Sequence, residues 1–176
     1  MAKILIFVGC ICILFSGYLF KQRYNPVRLR IKSYKKNVAV FTIQPTSKPT
    51  SIEILSLNLH LPIVPATINN DQWDTTTEGV SYLATSPIPG DKGNSILYGH
   101  NWPNLLGKLP LVNPGEEIIV HYTDGSQKVF KVLNTGEVKQ DQVSILDQTD
   151  DSRLTIYTCS GFLDSKRFVV FALPTS

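Results

Sequence analysis

The chain has 176 residues, of which 43% are hydrophobic and 18% charged, and its formal net charge is +3. This length suffices for one packed domain with an additional segment, and the charged fraction is low for a soluble protein. Residues 1–51 hold nine Lys/Arg and no acid, whereas residues 52–176 hold eight Lys/Arg against all 14 acids, a net charge of −6. An acidic domain without a basic stripe argues against nucleic-acid binding.

The first predicted element is a membrane anchor. Ile4–Phe20 is a 17-residue run without a charge, with lysines on both sides that can reach the polar surface of a bilayer. A cleaved signal peptide is the alternative. Phe15 stands where a small residue would precede the cleavage site, so an uncleaved anchor is favoured. We therefore expect an anchor over residues 1–23, with a transmembrane helix at about residues 4–20.

Residues 24–50 are predicted to be a basic tether. Its end, Gln44–Ser51, is rich in Pro, Ser and Thr and is expected to be extended. Arg28–Lys32 alternates charged and apolar residues, which suits either contact with anionic headgroups or a solvated spacer. Seven Lys/Arg follow the apolar run within residues 21–36, and the positive-inside rule would therefore place the next domain in the cytoplasm.

Residues 51–176 are predicted to form an all-β domain, because short apolar or alternating segments are separated by frequent Gly and Pro. The predicted strands are Ile52–Leu59, Leu61–Pro65, Ser95–Gly99, Glu116–Tyr122, Lys128–Leu133, Arg153–Thr158 and Arg167–Ala172. Thr123–Ser126 contains Asp-Gly and predicts a hairpin turn. Gly79–Ala84 is interpreted as a single turn of helix. The pattern is typical of a barrel or sandwich.

Cys159 is the one cysteine of this domain, so it cannot form a disulfide within it. It is either a buried, inert thiol or a nucleophile. It ends a predicted strand, and Arg167 begins the strand expected to pair with it, so these two residues should be neighbours. His100 ends another strand. Thiolate, imidazolium and guanidinium together suit acyl transfer, but the pattern does not place His100 beside the other two.

Several segments resemble the motifs of one family. Thr155–Cys159 followed by Arg167–Val170 resembles the T-L-x-T-C…R signature of sortases, with Ile156 in place of the usual Leu. Tyr98–Asn101 resembles the catalytic-histidine segment of that family. Two further segments occur in the family's order and spacing, Leu61–Pro65 and Pro89–Asn94.

The resemblance covers roughly residues 52–173 and implies a closed eight-stranded β-barrel. It also implies a membrane-anchored cysteine transpeptidase, which cuts a C-terminal LPxTG-like sorting signal, holds the acyl group as a thioester and passes it to an amine. Carried over by motif, Cys159 is the nucleophile, His100 the general acid/base and Arg167 the donor that binds the oxyanion or positions the substrate.

Two neighbours are candidates for the substrate groove. Trp102 follows His100 closely and is either a wall of the groove or a packing aromatic. Thr158 matches the threonine that precedes the cysteine in the family, which implies a role in packing or backbone positioning. The remaining histidines, His60 and His121, are expected to be structural.

No cofactor is expected. Some sortases use calcium, and Glu116, Glu117 and Asp124 are acidic, but no ligand loop surrounds them and a solvated hairpin face is preferred. The implied partners are exported proteins with a sorting signal, an amine nucleophile from a cell-wall precursor or another protein, and the membrane. Because these substrates are exported, we expect a single-pass membrane protein with an extracytoplasmic domain, against the charge count. The compact chain favours a D- or E-like class.

Two other functions remain open. A cysteine hydrolase would use the same three residues and release an acid instead of an amide. A non-enzymatic tethered binding module on the same barrel would have a thiol that does not react in a His100-dependent way.

Overall fold

The computed structural model describes residues 2–24, 47–69 and 72–175. The described elements are one helix, ten strands and short 3₁₀ turns, with these bounds: α1 Ala2–Arg23, β1 Pro49–Ile54, β2 Leu59–Ala66, β3 Ile68–Asn69, β4 Gln72–Trp73, β5 Val80–Leu83, β6 Gly93–Gly99, β7 Glu117–Tyr122, β8 Gln127–Lys139, β9 Ser152–Ser160 and β10 Lys166–Pro174. The tether at residues 24–50, with the headgroup contact of Arg28–Lys32, falls almost entirely outside the described residues.

Helix α1 carries the apolar run of the N-terminus. It has 22 residues, none of them buried against protein, and its most apolar window has a mean hydropathy of 2.2. It is long and apolar enough to cross a membrane by length and composition. A signal sequence near an N-terminus has the same properties.

Eight strands close into a barrel in the order β1-β2-β5-β6-β9-β10-β8-β7, which confirms the expected fold. Most neighbours are antiparallel, but β2 with β5 and β6 with β9 are parallel. Strands β3 and β4 form a separate hairpin. Closure pairs the two ends of the sheet with each other, so the barrel has no open edge.

The barrel has two apolar cores. The larger fills its interior, and the second lies outside it, where Trp73 of β4 and the 3₁₀ turn Val143–Leu146 cover strands β6 and β9. All seven residues of β6 are therefore buried, although the side chains of a strand alternate between two faces. Cys159 belongs to the outer core. The candidate nucleophile thus lies on the outer face of the barrel.

The structure differs from the sequence prediction at three places. Predicted strand Ile52–Leu59 is interrupted by a 3₁₀ turn at Leu55–Leu57, after which Asn58 takes a left-handed conformation with φ of 49°. The helical turn predicted at Gly79–Ala84 is wrong, because strand β5 pairs there with both β2 and β6. Strand β8 continues to Lys139 because its mostly polar second half pairs with the start of β10.

The hairpin predicted at Thr123–Ser126 is confirmed between β7 and β8. Tyr122 N–H donates to the Ser126 carbonyl, and Gly125 has a φ of 82°. The Asp124 carboxylate accepts from the Ser126 N–H and hydroxyl. A glycine is needed at this left-handed position, and the Asp side chain closes the turn.

Candidate active site

Strand register brings the three candidate catalytic residues together. Arg167 on β10 is the direct partner of Cys159 on β9. On the other side of β9, Gly99 of β6 is level with Thr158, so His100, the next residue of that parallel chain, comes level with Cys159. Cys159 therefore lies between a histidine and an arginine supplied by its two neighbouring strands. All three side chains are buried: Cys159 is 4% exposed, His100 3% and Arg167 1%.

The His100 ring is stacked on an aromatic neighbour, and its Nε2 is buried. Its centroid lies 4.5 Å from that of Trp102, with 12° between the planes. Among the residues that the structure describes, none hydrogen-bonds to His100 Nε2. Burial lowers the pKa of His100, and the negative charge of Asp164 opposes that effect. The imidazole thus keeps a buried nitrogen that makes no hydrogen bond within the described residues.

Backbone hydrogen bonds hold the loop that follows His100. The Trp102 carbonyl accepts from the N–H groups of Leu105 and Gly107, each at 2.9 Å, and the His100 carbonyl accepts from Leu106 N–H at 3.0 Å. Gly107 packs directly under this loop, where a Cβ would lie 2.6 Å from Trp102 O. The position of His100 is therefore set by main-chain contacts.

Arg167 is oriented by main-chain carbonyls. Its Nη1 donates to the carbonyl oxygens of Asp164 and Lys166, each at 2.9 Å. The charged head of a fully buried arginine is thus held beside the thiol. Its fork of N–H donors suits a developing oxyanion.

The two groove candidates occupy different surroundings. Trp102 is half-buried at the mouth of the site, where its Nε1 donates to the Arg23 carbonyl at 3.2 Å and its ring lies 5.4 Å from that of Tyr24. Thr158 is fully buried, and its hydroxyl donates to the Gly99 carbonyl at 2.8 Å. Trp102 is packed between His100 and Tyr24, whereas Thr158 joins β6 to β9 behind the site.

Sequence reasoning missed two polar residues beside the catalytic candidates. Asn101 Nδ2 donates to Asp164 Oδ1 at 3.2 Å, which connects the His100 loop to the turn between β9 and β10. The same hairpin argument that placed Arg167 near Cys159 places this turn at the site. Asp164, an acidic residue within this turn, was the sequence signal that could have identified it.

The other histidines lie on strands β2 and β7, and neither strand pairs with β6, β9 or β10. His121 Nε2 lies 3.3 Å from Glu53 Oε2, and the rings of His60 and His121 are 6.1 Å apart. Within the described ranges, no three His, Cys, Asp or Glu side chains are grouped so that they could hold a metal ion.

Comparisons with known proteins agree with this geometry. The family model described as "Sortase domain" matches residues 52–175. The chain is 26% identical over 123 residues to sortase A of Bacillus anthracis, covering 68% of this chain and 56% of that protein. It is 30% identical over 95 residues to sortase A of Listeria monocytogenes serovar 1/2a (strain ATCC BAA-679 / EGD-e), covering 52% and 42% respectively.

The chain therefore spans about half the length of the curated relatives it matches. Among solved structures, sortase A from Corynebacterium diphtheriae is similar with a TM-score of 0.64 and 25% identity. That match covers 73% of this chain and 61% of the other.

Proposed function

The chain belongs to the sortase family, and on this premise we propose that it is a membrane-anchored cysteine transpeptidase. Its substrates are exported proteins that carry an LPxTG-like sorting signal near the C-terminus, and its second substrate is an amine of a cell-wall precursor or of another protein. The observation that carries the proposal is the register that places Cys159 between His100 and Arg167. The D- or E-like class stays a prediction, and both curated relatives are described as sortase A.

In the first half-reaction, the Cys159 thiolate attacks the carbonyl carbon of the Thr–Gly bond in the signal. The Arg167 guanidinium stabilises the oxyanion of the tetrahedral intermediate. When the C–N bond breaks, the His100 imidazolium gives its proton to the leaving amine. The products are a thioester on Cys159 and the released C-terminal peptide.

In the second half-reaction, an amine attacks the thioester carbon and His100, now neutral, takes the proton that this amine loses. The C–S bond breaks, Cys159 leaves as the thiolate, and a new amide is formed. Both transfers are assigned to His100, whose Nε2 makes no hydrogen bond to another described residue. In this mechanism Trp102 forms a wall of the substrate groove and Thr158 holds β6 against β9.

The proposed organisation is an anchor at residues 1–23, a tether at residues 24–50 and a catalytic barrel at residues 51–176. The length and apolar character of α1 support the anchor. We place the barrel outside the cell, because a substrate that is itself exported is available there. This placement runs against the positive-inside count.

The test uses the full chain in detergent micelles, an LPxTG-containing peptide and glycinamide as the amine. We expect mass spectrometry to detect a peptide–glycinamide amide, and Cys159→Ala, His100→Gln and Arg167→Ala each to lose it. Cys10→Ala and His60→Gln are matched controls expected to keep full activity. Cleavage that persists in Cys159→Ala would refute the proposal.

The alternatives have their own outcomes in this experiment. An acid product alone, even with excess glycinamide, identifies the hydrolase. Absence of cleavage together with a Cys159 thiol whose alkylation rate does not depend on His100 identifies the binding module.

A further inference from the structure

The turn between β9 and β10 contains a carboxylate that the mechanism above does not use. Leu163 and Asp164 both adopt left-handed conformations, with φ of 51° and 60°. This conformation is rare for most residues, and Asp and Asn adopt it most readily. Phe162 and Leu163, which precede Asp164 in the turn, are 80% and 46% exposed. Asp164 itself is half-buried toward the site. The backbone of the turn therefore directs one acidic residue inward.

Asp164 contacts both Arg167 and the loop that begins at His100. Its carbonyl oxygen accepts from Arg167 Nη1 at 2.9 Å. Its Oδ1 accepts at 3.2 Å from the side chain of Asn101, the residue directly after His100. One residue thus joins the guanidinium on β10 to the loop that begins at the end of β6.

The charge of Asp164 acts on His100 as well. The titratable and charged groups around His100 come from Cys159 on β9, Arg167 on β10 and Asp164 in the turn between them. On its remaining side the ring meets the uncharged indole of Trp102, which in turn contacts Tyr24 at the end of α1. Burial lowers the pKa of His100, and the Asp164 carboxylate raises it. Asp164 therefore favours the imidazolium.

We propose that Asp164 is a positioning residue of this site, which fixes the Asn101 loop and the Arg167 guanidinium through its two acceptors and places a carboxylate beside the loop that begins at His100. The inference rests on the proposed function, because the imidazolium is the acid of the first half-reaction. Asp164 would thus contribute its carboxylate charge to the site, in addition to suiting the left-handed conformation of the turn.

The decisive variant is Asp164→Asn. Asparagine keeps an oxygen that can accept from Asn101, leaves the backbone carbonyl in place and tolerates the left-handed conformation, so only the charge is removed. The measurement is an NMR titration of His100 in the full chain in detergent micelles, with its signal identified by His100→Gln. We expect the titration midpoint of His100 to shift to lower pH.

Activity gives a second and quantitative readout. If the reactive form is the thiolate–imidazolium pair, kcat/KM falls roughly tenfold for each pH unit by which the His100 midpoint falls. The acid limb of the pH–rate profile moves in the same direction. Asp164→Glu, which keeps the charge, is expected to recover the His100 midpoint. Asp150→Asn, the same exchange in an exposed loop, is the matched control and should change neither quantity.

A wild-type His100 midpoint in Asp164→Asn overturns the inference, whether or not the thermal stability of the variant has fallen. A purely structural role predicts that result. The titration does not need turnover, so absence of transpeptidation in the wild-type chain would refute the proposed function and leave the test of Asp164 intact.

Discussion

Replacing Gly107 by alanine tests how closely the loop after His100 is packed. A Cβ at this position would lie 2.6 Å from the carbonyl oxygen of Trp102 and 2.8 Å from that of Asn101. Both atoms are main chain, so no side-chain rotation can relieve the contact. To reach the 3.4 Å of an ordinary contact, the loop must retreat by roughly 0.8 Å. His100 begins this loop and would move with it.

Two effects follow from such a displacement. Overpacking typically costs about 1–3 kcal/mol in the free energy of unfolding, which exceeds the gain of about 1 kcal/mol that alanine offers over glycine in a free helix. A displacement of about 1 Å in a catalytic group can reduce the rate roughly 100-fold. We therefore expect Gly107→Ala to lower both the melting temperature and kcat/KM, the latter by about 30- to 100-fold.

The assay is the peptide–glycinamide reaction, combined with thermal unfolding followed by circular dichroism in the same micelles. Gly136→Ala in β8 is the matched control, because no atom lies within 4 Å of its added Cβ and its φ is not in the left-handed region. That variant should keep its activity and stability within error. A stabilised and fully active Gly107→Ala would show that the loop can yield and that its contacts do not position His100.

Two further predictions concern the stability of the folded chain. Thr158→Val removes the buried hydrogen bond to the Gly99 carbonyl and should reduce the free energy of unfolding by about 1–3 kcal/mol in urea denaturation, whereas Thr158→Ser keeps the hydroxyl and most of that stability. The pKa of His100 is lower in the folded chain than its ordinary value, so the unfolded chain binds the proton more readily. The free energy of unfolding therefore falls as the pH decreases from 7 through that ordinary value. Denaturation at pH 7 and pH 5 should show a smaller loss for His100→Gln than for the wild type, and equal losses would contradict the linkage.

Local pattern predicted part of this site because two of its residues are close in sequence. Cys159 and Arg167 belong to one hairpin, and an antiparallel pair aligns the end of one strand with the start of the next. His100 could not be placed in the same way. Its strand pairs with β9 in parallel, and parallel strands need a long connection whose destination no local pattern specifies.

The same reason accounts for the error at β5. Residues Val80–Leu83 take extended conformation because two neighbouring strands supply hydrogen-bond partners, while a segment of four residues is too short to show a clear period in the sequence. Residues 134–139 of β8 are mostly polar and contain a glycine, so their pairing with β10 was equally hidden. In both cases pairing with strands distant in the sequence determined the conformation.

The parallel pairing of β6 with β9 also determines when the site can exist during folding. Gly99 and Thr158 are separated by 59 positions in the sequence, and such distant contacts form only after a large loop-closure entropy has been overcome. The β9–β10 hairpin, in contrast, can form locally. During folding, Cys159 can therefore lie beside Arg167 before His100 docks, and its thiol acquires a proton-transfer partner only at barrel closure. Reactivity is in this way delayed until the fold around the cysteine is complete.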